Sequence, residues 1–224
     1  MNEPLLQDII RRGVGRGAAA AGVWCDAYRP HGAHEPLASA NRYLRLPVIL
    51  APPSGFAQPA GFGASAWTGQ FDAATTRPGD YLVHHNGPGL GFGDGGGGVW
   101  FIAAQQALLP VLCIRATRLV SFHRAAEPSA IGVNPYGGAL RGTGPTLATG
   151  WPASVLSAGG AGLDPGDLPT DAAPGAWTVL LPPIPRLVLR AGDAMTDDLH
   201  RTGIVAGAER TDLGWRLQVK QVTT

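Results

Sequence analysis

The chain has 224 residues, 45% of them hydrophobic and only 15% charged, with a formal net charge of +1. A chain of that length buries about 70% of its extended surface on folding, so it can build a core without staples, and its apolar content excludes a disordered protein. The near-zero charge, with no basic run interleaved with aromatics, offers no sustained field for phosphates and argues against a sequence-specific nucleic-acid partner.

No apolar run reaches the roughly 18 residues of a membrane span. The first residues place Glu3, Asp8 and Arg11-Arg12 around Leu5-Leu6, which is not the basic-then-apolar order of a signal peptide. Synthesis and retention in a cytoplasm until assembly are therefore expected.

Residues 4–12 put Leu5, Leu6, Ile9 and Ile10 at helical spacing, with Pro4 suited to a first helical position. Gly13, Gly15 and Gly17 follow, then four alanines, so the spacing predicts an irregular helix end. Cys25 and Cys113 each lie among apolar residues and read as reduced, buried thiols.

From residue 41 the pattern becomes β-type: 43–50, 66–73, 80–84, 99–103, 111–116 and 119–123 read as strands. Pro47 marks the first as an edge strand or a strand break. Residues 86–98 are dominated by glycine and read as a long hairpin tip or a loop in contact with a partner. Between about 124 and 175 Gly, Pro, Ala, Ser and Thr dominate, which reads as a linker or insertion. Strand character returns at 177–181, 187–189, 203–209 and 215–222, the last two forming a hairpin in which Trp215, Leu217 and Val219 alternate with Arg216, Gln218 and Lys220.

Three tetrads, Arg77-Pro78-Gly79-Asp80, Asp164-Pro165-Gly166-Asp167 and Arg190-Ala191-Gly192-Asp193, are turn signals, because Gly accepts the positive φ of a third turn position. Their irregular separations and dissimilar flanks do not read as an internal repeat.

Chemistry is sparse. Gly13-Val14-Gly15-Arg16-Gly17-Ala18 matches a loose dinucleotide fingerprint but follows a helix, not the strand such a site needs. His31, His34 and Glu35 follow Pro30 and flank Gly32, the wrong setting for a zinc helix, and read as solvated loop residues. His84-His85 point to opposite faces of a strand, and Asp197-Asp198 with His200 read as a turn. Neither a cofactor nor a metal is expected, and no catalytic residue is assigned. Asp80, Asp193 and His123 converging on Ser65 or Ser121 is the one hydrolytic arrangement left open.

Four segments, Cys25-Asp26-Ala27-Tyr28-Arg29-Pro30, Arg77-Pro78-Gly79-Asp80-Tyr81-Leu82-Val83, Trp100-Phe101-Ile102-Ala103-Ala104-Gln105-Gln106 and Leu109-Pro110-Val111-Leu112-Cys113, resemble stretches of poorly characterised structural proteins of proteobacterial phages and prophages. The C-terminal stretch from Gly203 to Gln221 is similar in pattern to the closing hairpin of small β-barrel neck and tail-completion proteins. The glycine-rich stretch 93–98 and the stretch 124–175 have no counterpart in that pattern.

The resemblance implies a non-enzymatic virion subunit of tail, neck or baseplate, located in the virion and in the host cytoplasm before assembly. Its partners would be copies of itself in a symmetric ring and other virion proteins, with no small-molecule substrate. Leu5, Leu6, Ile9, Ile10, Leu90 and Phe92 are the candidate interface. The expected fold is mainly β, with antiparallel barrel or sandwich regions: a helix and arm at 1–40, a β-rich domain at 41–124, a linker or insertion at 125–175 and a C-terminal β region at 176–224. The alternatives are a carbohydrate-binding or adhesive β-module, which exposed aromatics would favour, and a hydrolase with a dispersed site.

Overall fold

A computed structural model describes residues 3–52, 65–84, 97–124, 144–157 and 175–222. Among them, helix α1 (Glu3–Ala21) precedes twelve strands: β1 (Val23–Tyr28), β2 (Arg42–Ala51), β3 (Ala66–Gln70), β4 (Tyr81–His84), β5 (Gly98–Ala104), β6 (Val111–Ala116), β7 (Arg118–His123), β8 (Thr146–Ser157), β9 (Ala176–Leu181), β10 (Ala194–Asp197), β11 (Thr202–Thr211) and β12 (Gly214–Gln221). The fold is mainly β with an N-terminal helix, as the periodicity predicts.

The strands close into two antiparallel barrels, ordered β1-β2-β3-β6-β5-β4 and β7-β8-β9-β12-β11-β10. The second order is the first with six added to each strand number, and the registers correspond at every strand pair, departing by one residue only where β7–β8 carries an additional irregularity after Val120. Tyr28 faces Tyr81 as His123 faces Ala194. Cys25 faces Leu46 as Val120 faces Trp151. Trp67 faces Cys113 as Trp177 faces Val219. Both barrels break register one residue after the same point, at Ile102 and at Val205, where a bulge increases local twist.

This register exposes an internal duplication that the sequence reading rejected. Ala66-Trp67-Thr68 corresponds to Ala176-Trp177-Thr178, Pro47 to Pro152, and Arg77-Pro78-Gly79-Asp80 to Arg190-Ala191-Gly192-Asp193. Equivalent residues are 95 positions apart at Arg29 and Arg124 but 113 apart at Asp80 and Asp193, because the connecting segments differ in length. No single period exists to be found.

Each barrel is closed at one point by the same clamp. Arg29 Nε and Nη2 donate to the Asp80 carboxylate at 2.9 and 2.7 Å, and Arg124 Nε and Nη2 to Asp193 at 2.9 and 3.0 Å. The spare capacity of each Nη2 goes to a carbonyl, that of Thr75 or of Val188. Each aspartate also accepts the backbone N–H of the first turn residue, Arg77 or Arg190. The turns need glycine because Gly79 and Gly192 have φ of 96° and 92°.

The two barrels share a core. Inside barrel one lie Cys25, Ala27, Leu46, Val48, Leu82, Trp100, Ile102 and Cys113. The opposite face of β4, β5 and β6, with Tyr81, Val83, Val99, Phe101 and Ile114, joins a second cluster with the interior of barrel two, including Val120, Phe122, Trp151, Trp177, Val179, Leu217 and Val219. Tyr81 donates its hydroxyl to the Pro152 carbonyl at 2.9 Å, and its ring lies 6.1 Å from that of Trp151. At the positions equivalent to Tyr81, Val83, Val99, Phe101 and Ile114, barrel two carries Ala194, Thr196, Thr202, Ile204 and Lys220. Among the described residues that face meets no third barrel.

Several sequence-based boundaries shift. Strand β1 falls in the segment read as a helix and arm (1–40) and is integral to barrel one; β7 belongs to barrel two. The twelve-residue β8 lies within 125–175, the stretch read as a linker; the rest of that stretch, except Gly144, Pro145 and Gly175, lies outside the described residues. Residues 187–189 are not a strand, although Leu189 is buried. Strand β2 runs unbroken through Pro47, which pairs with Trp24 of β1. Pairing with β3 begins only at Ile49, so the missing N–H of proline falls where β2 has one neighbour, and Pro152 sits equivalently in β8.

Candidate interaction surface

Helix α1 does not stop at Gly13 but continues to Ala21. Its C-terminal half lies on β2 and β3: Ala18 is fully buried, and at Gly15 an added Cβ would stand 3.0 Å from Asp72 Cβ. The glycine permits that close approach, and tertiary packing overrides its poor helix propensity.

The N-terminal half presents apolar side chains to solvent, with Leu5 60%, Ile9 59% and Ile10 37% exposed, while Leu6 is half-buried. Of the candidate interface residues, Leu90 and Phe92 lie outside the described residues, as does most of the glycine-rich loop. In their place the structure brings up a pair the sequence reading passed over: Leu108 and Leu109, 45% and 59% exposed, in the hairpin between β5 and β6. Leu108 has a φ of 64°, a conformation that costs a non-glycine residue on the order of 1–2 kcal/mol. The base of this hairpin is tied down by Gln105, whose Nε2 donates to the Ala73 carbonyl at 2.6 Å and whose Oε1 accepts from Thr76 Oγ1 at 3.2 Å. The one signal for it in the sequence was Leu108-Leu109-Pro110 at a strand junction.

Between α1 and this hairpin runs a groove of about 240 Å³, bordered by Gln7, Ile10, Arg11 and Val14 on the helix and Gln106, Leu108 and Leu109 on the hairpin, over Gln70, Phe71, Ala73 and Val111. Arg12 pairs with Asp8 at 2.6 Å along the helix. Arg11 makes no ion pair among the described residues.

The other groups singled out in the sequence are engaged elsewhere. The Gly13–Ala18 motif lies within α1. His34 Nδ1 stands 3.1 Å from Thr149 Oγ1, and the backbone of Ala33 and Glu35 pairs with Thr149, so this arm packs on barrel two. Asp197 accepts from Leu199 N, Arg201 N and Arg201 Nε and closes a tight turn. His123 Nδ1 lies 3.2 Å from Thr146 Oγ1, and Ser121 Oγ accepts from Gly150 N. Among the described residues, no hydrogen bond joins Asp80 or Asp193 to His123, Ser65 or Ser121.

Both thiols are free and buried within barrel one. Burial, with a smaller effect of the Asp26 charge, pushes the Cys25 thiol up to about 12; burial, then the neighbouring Cys25, does the same for Cys113. Trp100, Trp151, Trp177 and Trp215 are buried and Trp67 is half-buried. Trp24 is exposed, with the Arg45 guanidinium 5.9 Å from its ring centre.

The site and fold define a tandem double-barrel protein carrying an apolar edge on its N-terminal helix. Comparisons with protein families, with curated proteins and with solved structures each find no match.

Proposed function

We propose that the chain is a structural subunit of a bacteriophage virion, in the tail, neck or baseplate, and that it works through protein–protein assembly. The observation that carries this reading is the apolar rim built by two separate elements, Ile10 from α1 and Leu108 and Leu109 from the hairpin, with Leu5 and Ile9 exposed elsewhere on the same helix. Isolated exposed leucines are ordinary, but an apolar cluster contributed by two elements marks a contact surface. The low charge and the resemblance of the segments at Cys25–Pro30, Arg77–Val83, Trp100–Gln106 and Leu109–Cys113 to phage structural proteins point the same way. Burial of four of the tryptophans removes most of the stacking platforms that a carbohydrate-binding module would use. In a symmetric assembly the same edge recurs on every copy, so a small patch acts many times over.

The test is incorporation. Particles purified from a lysate of a phage encoding the chain are probed with an antibody against it, for the native chain and for the Ile10→Asp/Leu109→Asp double variant. The native chain is expected in particles, with the variant folded by circular dichroism yet depleted from them. A native chain absent from particles, or a variant incorporated in full, refutes the reading.

A further inference from the structure

On the reading of this edge as an assembly surface, we propose that the groove beside α1 seats an extended segment of a neighbouring protein, in which aliphatic side chains flank a carboxylate that pairs with Arg11. The groove has the parts such a segment needs. Its floor and walls are apolar: Ile10, Val14, Phe71, Val111, Leu108 and Leu109. Its volume of about 240 Å³ falls below the ~300–1,000 Å³ usual for small-molecule sites, which suits a few anchoring side chains and not a cofactor.

The polar groups along the groove are of one kind apart from Arg11. Gln7, Gln70 and Gln106 line it, and among the described residues none of these three side chains makes a hydrogen bond. An amide both donates and accepts. An extended peptide presents N–H and C=O groups sideways, and three amides without a partner among the described residues, one on each of three elements around the groove, can meet them.

Arg11 sets the charge. Its neighbour Arg12 is neutralised by Asp8, whereas Arg11 is half-buried and has no counter-ion among the described residues. Among the described residues no carboxylate lines the groove. A partner carboxylate forms a charge-assisted pair there, and a basic partner is repelled.

The probe is a synthetic peptide, Ac-Ser-Leu-Val-Glu-Val-Leu-Ser-NH2, titrated into the full ¹⁵N-labelled chain beside its counterpart with Gln in place of Glu. The expected result is saturable shifts at the amides of Gly69, Gln70, Leu108 and Leu109, with the acidic peptide bound roughly three- to tenfold tighter than the neutral one. Arg11→Gln should bring the acidic peptide to the level of the neutral one and leave the neutral one unchanged. Equal binding of the two peptides, no effect of Arg11→Gln, shifts centred elsewhere or no saturable binding overturns the proposal. A chain that enters particles through this edge but shows no carboxylate preference refutes the occupant alone. One that prefers the acidic peptide but is absent from particles refutes the assembly reading alone.

Discussion

Replacing Asp80 by alanine removes the acceptor at the centre of the barrel-one clamp. Its carboxylate, 1% exposed, accepts from Arg29 Nε and Nη2, from Tyr43 Oη at 2.6 Å and from Arg77 N at 3.0 Å. Breaking one side of a buried ion pair costs about 3–5 kcal/mol. Arg29 retains 24% side-chain exposure and Tyr43 also reaches solvent, so both recover water, and the expected cost is near the lower end, about 3 kcal/mol. Asp193→Ala breaks the same set of contacts without a tyrosine hydroxyl and should cost about 1 kcal/mol less. Urea unfolding at neutral pH reads both numbers from the midpoint and slope. Double-mutant cycles on Arg29 with Asp80 and on Arg124 with Asp193 should return couplings that agree within about 1 kcal/mol. An Asp80→Ala cost below about 1 kcal/mol, or couplings that differ by more, would show that the two clamps are not equivalent supports of duplicated barrels.

The thiols make stability depend on alkaline pH. Folded Cys25 and Cys113 titrate at about 12, while in the unfolded chain a thiol loses its proton near 8.5. The unfolded state therefore binds fewer protons as pH rises above about 8.5. Stability is full below that value and falls toward 12, by up to about 1.4 kcal/mol per pH unit per thiol. Urea midpoints at pH 8, 9 and 10 should decline, the slope should flatten in a Cys25→Ala/Cys113→Ala variant, and a flat native profile would contradict the burial of the thiols. Tyr81→Phe deletes the hydroxyl that reaches from barrel one to the Pro152 carbonyl and keeps the ring. A loss of about 1–2 kcal/mol is expected in the same unfolding assay, and no loss would remove that bond from the inter-barrel joint.

Local pattern carried the strand content well. Strands β2, β4, β5, β6, β7, β9, β11 and β12 each stand close to a segment read from β-branched and apolar runs, because side chains of that kind suit a pleated, half-buried surface in most contexts. Strand β8 was missed because Gly150, Pro152 and small residues dilute its pattern; its place is set by pairing with β7 and β9. Helix α1 was read too short for the opposite reason. Its glycines weaken an isolated helix, and only the surface of β2 and β3 compensates.

By itself the sequence determined the β-rich class, the N-terminal amphipathic helix, the two glycine turns ending in Asp80 and Asp193, and the closing hairpin, because each rests on side-chain periodicity or backbone preference within a few residues. Only the tertiary structure decided that those turns are equivalent, that Arg29 and Arg124 complete them, and that Leu108 and Leu109 join the edge of α1. These relations link residues far apart in sequence, at separations altered by segments of unequal length. They also depend on environment: the face that is Tyr81, Val83 and Ile114 in barrel one becomes Ala194, Thr196 and Lys220 in barrel two, since one face meets another barrel and the other meets none among the described residues.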